Sequence, residues 1–323
     1  MGVGTVVVTG ISGFVGQVLL PYLEQEAQVE RVIGIDLRPP PVVASKLTFH
    51  RLDIRDPEVE KLLIGADVLV HLAFIMLPSH RHPMAEVKRI NVEGTRRLCH
   101  LAARQGVRKL VIISSAMAYG LHPDNPIPLT EDSPLRPNPD NHYSWAKGAN
   151  ERFLDTFQAE HPHLLVTRLR PSTIVGPHGP VGQMKPLVGD PAVVIRGADP
   201  PYQMLDEEDM ARAVHLVISR DLPGVYNVAP DDAPTLRRLA GERGVRVRPL
   251  PYGLYRLMLA LTWRLGLSAA SEEWASLARY PLVLSNEKFK AQGWQPRSTT
   301  VQAYARLWDA FHGTRAVEKG GDA

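Results

Sequence analysis

Short β-branched runs alternate with helical segments through the first half of this 323-residue chain, and a glycine-rich turn follows the first run. The second half is less regular and richer in helical patterns. Together these observations predict an α/β fold: a Rossmann-type doubly wound parallel sheet with a smaller, mostly helical C-terminal region. The expected division is 1–174 for the sheet domain and 175–323 for the rest, with about 203–230 returning to the sheet domain.

Five runs read as strands: "TVVVT" (5–9), "RVIGID" (31–36), "LTFHRL" (47–52), "DVLVHLA" (67–73) and "KLVIISS" (109–115). They are nearly continuous apolar runs, as strands covered on both faces require. Helices are expected after Gly13, over about 56–63 and over about 84–104. The third places Val87, Ile90, Leu98 and Leu101 on one broad side. Pro21 falls inside the first helix and should kink or shorten it. Residues 121–140 hold six prolines and read as a loop, because a helix over about 143–159 and the strand "LLVTRLRP" (164–171) follow. Beyond it, a helix is expected over 207–219, a strand over 224–229, and helices over about 251–265, 271–279 and 300–312. The stretch 251–265 carries Tyr252, Leu254, Tyr255, Leu257, Met258, Leu261, Trp263 and Leu265. At helical spacing this reads as core before ligand wall.

Bulk numbers exclude several classes. Hydrophobic residues make up 44% and charged residues 22%, so a packed core is expected. A net charge of +3 is spread along the chain without a block of like charges, which gives no footprint for nucleic acid. One cysteine, Cys99, excludes an internal disulfide and any multi-cysteine zinc site. His80 and His82 lie close together without a metal-binding pattern, and no metal is expected. No secretory signal or membrane span is visible, so a soluble cytoplasmic protein is expected. Arg246, Arg248, Arg256 and Arg264 flank apolar residues, and contact with a membrane surface is the weaker reading of them.

The turn "TGISGFVG" (9–16) places Gly10, Gly13 and Gly16 between the first strand and first helix. Such glycines permit a tight turn, close approach to a pyrophosphate and close helix–strand packing. The helix N-terminus favours the phosphates. Asp36 ends the second strand twenty residues after Gly16. There it can accept from the ribose hydroxyls and repel a 2′-phosphate, favouring NAD over NADP. Arg38 nearby is the feature that would favour NADP.

Several motifs in order resemble the extended short-chain dehydrogenase/reductase family, also called the NAD-dependent epimerase/dehydratase family. They are "TGISGFVG", "LDIRD" (52–56), "HLAF" (71–74), "NVEGTRRL" (91–98), "SSAMAYG" (114–120), "YSWAK" (143–147), "RPSTIVGP" (170–177) and "GWQP" (293–296). The resemblance implies that 1–174 binds NAD and that the smaller region binds substrate. It implies cofactor contacts from Gly10, Gly13, Phe14, Val15 and Gly16, and from Asp36, Leu37 and Arg38. It adds Asp53 and Ile54, then Leu72, Ala73 and Phe74, then Asn91. Pro171 and Thr173 would stand beside the nicotinamide, and Tyr143 and Lys147 would also touch the cofactor. It further implies a homodimer paired through the helices at about 84–104 and 143–159.

Ser115, Tyr143 and Lys147 are the catalytic candidates. A tyrosine with a pKa of about 10 is a poor base at neutral pH. A lysine one helical turn away favours its phenolate. Tyr143 can then take a hydroxyl proton while hydride leaves the same carbon. Ser115, at a strand's carboxyl end, can hydrogen-bond the substrate oxygen. The reading is an NAD-dependent oxidoreductase acting at a secondary alcohol or ketone. The alternative is a UDP-sugar epimerase with tightly bound NAD, and a lesser one is an NAD-binding sensor without turnover. The residues after Ser115, "AMAYG", lack the Thr-Asp-Glu run of the family's dehydratases. Tyr202 stands where the epimerases carry an arginine for the diphosphate, with Arg196 nearby as a substitute.

Overall fold

The computed structural model describes residues 3–78, 83–179, 184–268 and 270–320. His80 and His82 lie outside the described residues. The chain opens with β1 (Thr5–Thr9), α1 (Phe14–Gln25), β2 (Arg31–Asp36), β3 (Leu47–Arg51), α2 (Val59–Leu62) and β4 (Val68–His71). A long helical stretch follows: α3 (Met84–Lys88), a π-helical segment over Arg89–Gly94, and α4 (Thr95–Arg104). Then come β5 (Lys109–Ile113), a 3-10 turn over Ala116–Ala118, α5 (His142–Glu160) and β6 (Leu165–Pro171). The second half adds β7 (Thr173–Val175), α6 (Lys185–Val188), β8 (Ala192–Ile195), β9 (Met204–Asp206), α7 (Glu207–Ser219) and β10 (Gly224–Val228). The chain closes with α8 (Leu236–Glu242), β11 (Val247–Leu250), α9 (Tyr252–Arg264), a 3-10 segment over Glu272–Ala278, α10 (Glu287–Lys290) and α11 (Thr300–Gly320).

Seven strands form one parallel sheet in the order β10-β6-β5-β4-β1-β2-β3. The order reverses between β1 and β4, and that switch opens a crevice at the carboxyl edge. Alternation along β1 divides the core. Val6 and Val8 pack with Val18 and Leu19 of α1 and Val214 and Val217 of α7. Val7 packs with Leu98 and Leu101 of α4 and Leu154 and Phe157 of α5. Helices therefore cover both faces, and each fully buried aliphatic side chain contributes about 1.5–3 kcal/mol. The closing motif joins this core: Trp294 stacks on Phe289 at 5.3 Å, and its indole N–H donates to the Asp209 carbonyl on α7.

Four local expectations change. α1 runs through Pro21, which is exposed, so the lost hydrogen bond falls on the solvent side. Residues 272–278 form a 3-10 segment in place of an α-helix. Helix α9 is only partly core: Tyr255 and Leu259 are buried, but Leu254, Leu257, Leu261 and Leu265 are exposed. Two short parallel pairs, β8–β11 and β7–β9, appear where the sequence shows no alternation. Among the described residues, no helix is long and apolar enough to cross a membrane.

Candidate active site

The glycine turn is built by contacts that leave no room for side chains. Gly10 has φ +75°, its N–H donates to the Ile35 carbonyl at 2.8 Å, and a Cβ there would stand 2.6 Å from the Ala73 nitrogen. A Cβ on Gly16 would stand 2.4 Å from the Ile11 carbonyl oxygen. The turn therefore touches Leu72 and Ala73 on one side and draws α1 onto itself on the other. Gly13 caps α1 without a side-chain hydrogen bond, so the first-turn N–H groups at Phe14, Val15 and Gly16 are left for an anion. The Asp36 carboxylate accepts from the Ser12 N–H at 3.0 Å and the Leu37 N–H at 2.7 Å, which fixes it beside the turn. Arg38 is exposed next to it.

The other cofactor candidates lie along the same edge. Asp53 is engaged by Arg55, whose side chain also reaches Glu86. Ile54 is buried against Gly94. Asn91 clamps the segment after β4: its side chain accepts from the Ile75 N–H at 2.9 Å and donates to the Ile75 carbonyl at 2.8 Å. Pro171 ends β6 and Thr173 begins β7, with Ser172 between them. The Ser172 hydroxyl is buried without a partner. An orphaned hydroxyl, an uncapped helix start and a cradle that a Cβ would fill all fit a dinucleotide laid along this edge.

Asn141 starts α5 by accepting from the Ser144 N–H at 2.9 Å, and the Ser144 hydroxyl donates to the Met117 carbonyl at 2.7 Å. These bonds tie α5 to the turn after β5, and so bring Tyr143 to Ser115. Burial pushes the Tyr143 phenol above its usual value, while its hydrogen bond with Ser115 pulls the other way. Lys147 donates to the Ile113 carbonyl at 2.8 Å, and its Nζ lies 3.7 Å from the centre of the Phe74 ring. Burial pushes its amine down to about 7, against the pull of Glu151 one turn further on. The sequence expects Lys147 to ease Tyr143 toward its phenolate. In the protein alone, burial works against both charges, and Ser115 supplies the lowering at Tyr143.

Three features escape a reading by motif. Glu151 is fully buried between Arg168 and Arg170, at 3.0 and 2.9 Å. Burial works to raise its carboxyl, but the two guanidiniums hold it below the usual carboxylate value. Its position, i+4 from Lys147 and i+8 from Tyr143, is the signal that could have found it. Phe74 was expected as a cofactor contact, and it also covers the Lys147 amine. Glu273 accepts from the His142 N–H at 3.0 Å and faces His142 Nδ1 at 2.8 Å. That latch holds Trp274 5.5 Å from the Tyr143 ring.

Ser115, Tyr143 and Lys147 all line one cavity of about 330 Å³. Phe14, Leu72, Phe74, Pro171 and Thr173 enter its wall from the sheet edge, and Tyr255, Leu259 and Trp274 from the C-terminal part. Tyr202 also lines it, and its hydroxyl meets the Thr173 hydroxyl at 3.2 Å. Arg196, the substitute for an arginine at that place, is exposed and does not line the cavity. Among the described residues, no group of His, Cys, Asp or Glu is gathered to hold a metal ion.

A crevice at the switch point of a doubly wound parallel sheet, with a glycine turn after the first strand and an acidic residue ending the second, defines a Rossmann-type fold. The model of the NAD dependent epimerase/dehydratase family matches residues 6–229, and the chain belongs to that family. An uncharacterized protein of Mycobacterium tuberculosis is 27% identical over 310 residues, which cover 93% of this chain and 82% of that one. The dTDP-D-glucose 4,6-dehydratase of Mus musculus is 24% identical over 349 residues, covering 97% and 91%. Among solved structures, the UDP-glucose 4-epimerase of Thermus thermophilus in complex with NAD is similar, with a TM-score of 0.71 and 25% identity over 96% of this chain and 99% of that one. The dTDP-glucose 4,6-dehydratase of Streptomyces venezuelae with NAD bound has a TM-score of 0.74 at 22% identity, covering 97% and 98%.

Proposed function

We propose that this protein is an NAD-dependent oxidoreductase that moves hydride reversibly at a secondary alcohol or ketone carbon, with Tyr143 as its acid and base. The observation that carries the reading is the meeting of three side chains on one cavity. Ser115 and Tyr143 face the same cavity, Lys147 is buried one turn on, and the glycine turn stands at the same sheet edge. NAD, held at Gly10, Gly13, Gly16 and Asp36, supplies the hydride acceptor. The positive charge of its oxidised ring favours the Tyr143 phenolate that burial alone resists. Ser115 holds the substrate oxygen, and Tyr143 takes the hydroxyl proton as the carbon is oxidised. In this reading Lys147 would bond the ribose of the cofactor and turn its amine toward Tyr143, whose ring centre lies 5.5 Å from its Nζ. Cytoplasmic placement and a homodimer belong to the same proposal.

The test is Tyr143→Phe. Turnover, followed as NADH absorbance, should fall at least ~100-fold, while NAD affinity measured by calorimetry stays within a few-fold. Unchanged turnover sinks the assignment. A second reading, a nucleotide-sugar epimerase, is favoured by the whole-chain likeness to the Thermus thermophilus enzyme. It requires a UDP-sugar to be isomerised with no net NADH, on NAD that co-purifies.

A further inference from the structure

We infer that the alcohol or ketone handled at Tyr143 carries a largely apolar body and no nucleoside diphosphate. This rests on the hydride-transfer reading above and concerns what fills the rest of the same cavity. Apolar side chains converge on it from five separate elements: Leu187 of α6, Val193 of β8, Leu236 of α8, Leu259 of α9 and Leu277 of the 272–278 segment. Four of them (Leu187, Val193, Leu236 and Leu277) are only half-buried, so they are not simply sealed into a core. They leave apolar surface around an open space, which an apolar ligand would remove from water.

Charge runs the same way. Among the described lining residues the sole cation is Lys147, at the reacting end. Asp199, a carboxylate in the wall, would repel a diphosphate. Arg237, its partner at 3.9 Å, is not part of the lining. Tyr202 is half-buried and already bonded to Thr173, with no charge to offer. A diphosphate drawn into this wall would lose its hydration with no cation among the described lining residues, apart from Lys147, to replace it. A hydrocarbon or aromatic body loses nothing.

The experiment uses the full chain with NAD and a series of straight-chain secondary alcohols of increasing length, beside UDP-glucose and UDP-galactose. The expected result is a kcat/KM that rises about fourfold with each added methylene until the cavity is full. The UDP-sugars should be neither turned over nor competitive. A flat series with conversion of a UDP-sugar overturns the apolar substrate and leaves Tyr143 chemistry standing. If nothing is turned over, the hydride-transfer reading fails, and binding decides the rest. Long-chain methyl ketones titrated with NADH present should then quench tryptophan fluorescence more tightly as they lengthen. Trp274→Phe should remove that quench while calorimetry still reports binding. Ketones that do not bind at any length overturn the inference.

Discussion

The Lys147 amine donates to a carbonyl and lies against an aromatic face inside the protein, and its proton is held more weakly there than in water. Its value falls to about 7 from an unfolded value of about 10.4. Between those two values the unfolded chain binds the extra proton, so stability rises with pH. The penalty for a buried ammonium is complete below about pH 7 and fades as pH climbs toward 10. Lys147→Met removes it. Relative to wild type, the variant should gain roughly 2 kcal/mol more at about pH 6 than at about pH 9, whatever offset the lost Ile113 contact sets. Urea midpoints at the two pH values read this directly, and a pH-independent difference would show an unshifted lysine. Ser115, Tyr143 and Lys147 were legible because a strand end and a single helical turn fix their spacing. Glu151 was not, because its role depends on Arg168 and Arg170, which arrive from another element.

At the scale of elements, the turn between β1 and α1 sets where a dinucleotide can lie. An alanine methyl at position 16 would press on two backbone carbonyls, those of Ile11 and Gly10, and neither can turn away. Gly16→Ala should cost about 1–3 kcal/mol of stability and weaken NAD binding as the helix start is pushed off the turn. Gly241→Ala is the control: nothing lies near a Cβ there, and helix α8 should gain about 0.4–1 kcal/mol. Opposite shifts in melting temperature are expected, and equal ones would mean that the turn yields. The strands of the large sheet could be read from sequence because burial on both faces makes them continuous apolar runs. The pairs β7–β9 and β8–β11 are only three to four residues long, and an apolar run as short as the AVVI of β8 does not tell a strand from a buried helical segment. Residues 272–278 carry a helical pattern, but latching Glu273 to the start of α5 accompanies a tighter winding.

At the scale of the whole molecule, helix α5 leaves two aromatic side chains incompletely covered beside the active-site edge. Trp145 and Phe153 of α5 are half-buried, and they sit beneath cations from the neighbouring long helix, Lys88 at 5.0 Å and Arg96 at 5.5 Å. Aromatic and arginine side chains on two adjacent helices make a surface that a second copy can cover about a two-fold axis. Pairing there would brace α5, the helix that carries Tyr143 and Lys147. Light scattering should therefore give a dimer mass at micromolar concentration. Phe153→Asp places an unpaired charge in that face and should shift the mass to a monomer, with the far-ultraviolet circular dichroism unchanged to show that the fold survives. A wild-type monomer at every concentration rules the dimer out, and a dimer that survives Phe153→Asp places its interface elsewhere. If activity falls in step with dissociation, the brace on α5 is also part of how the site is held.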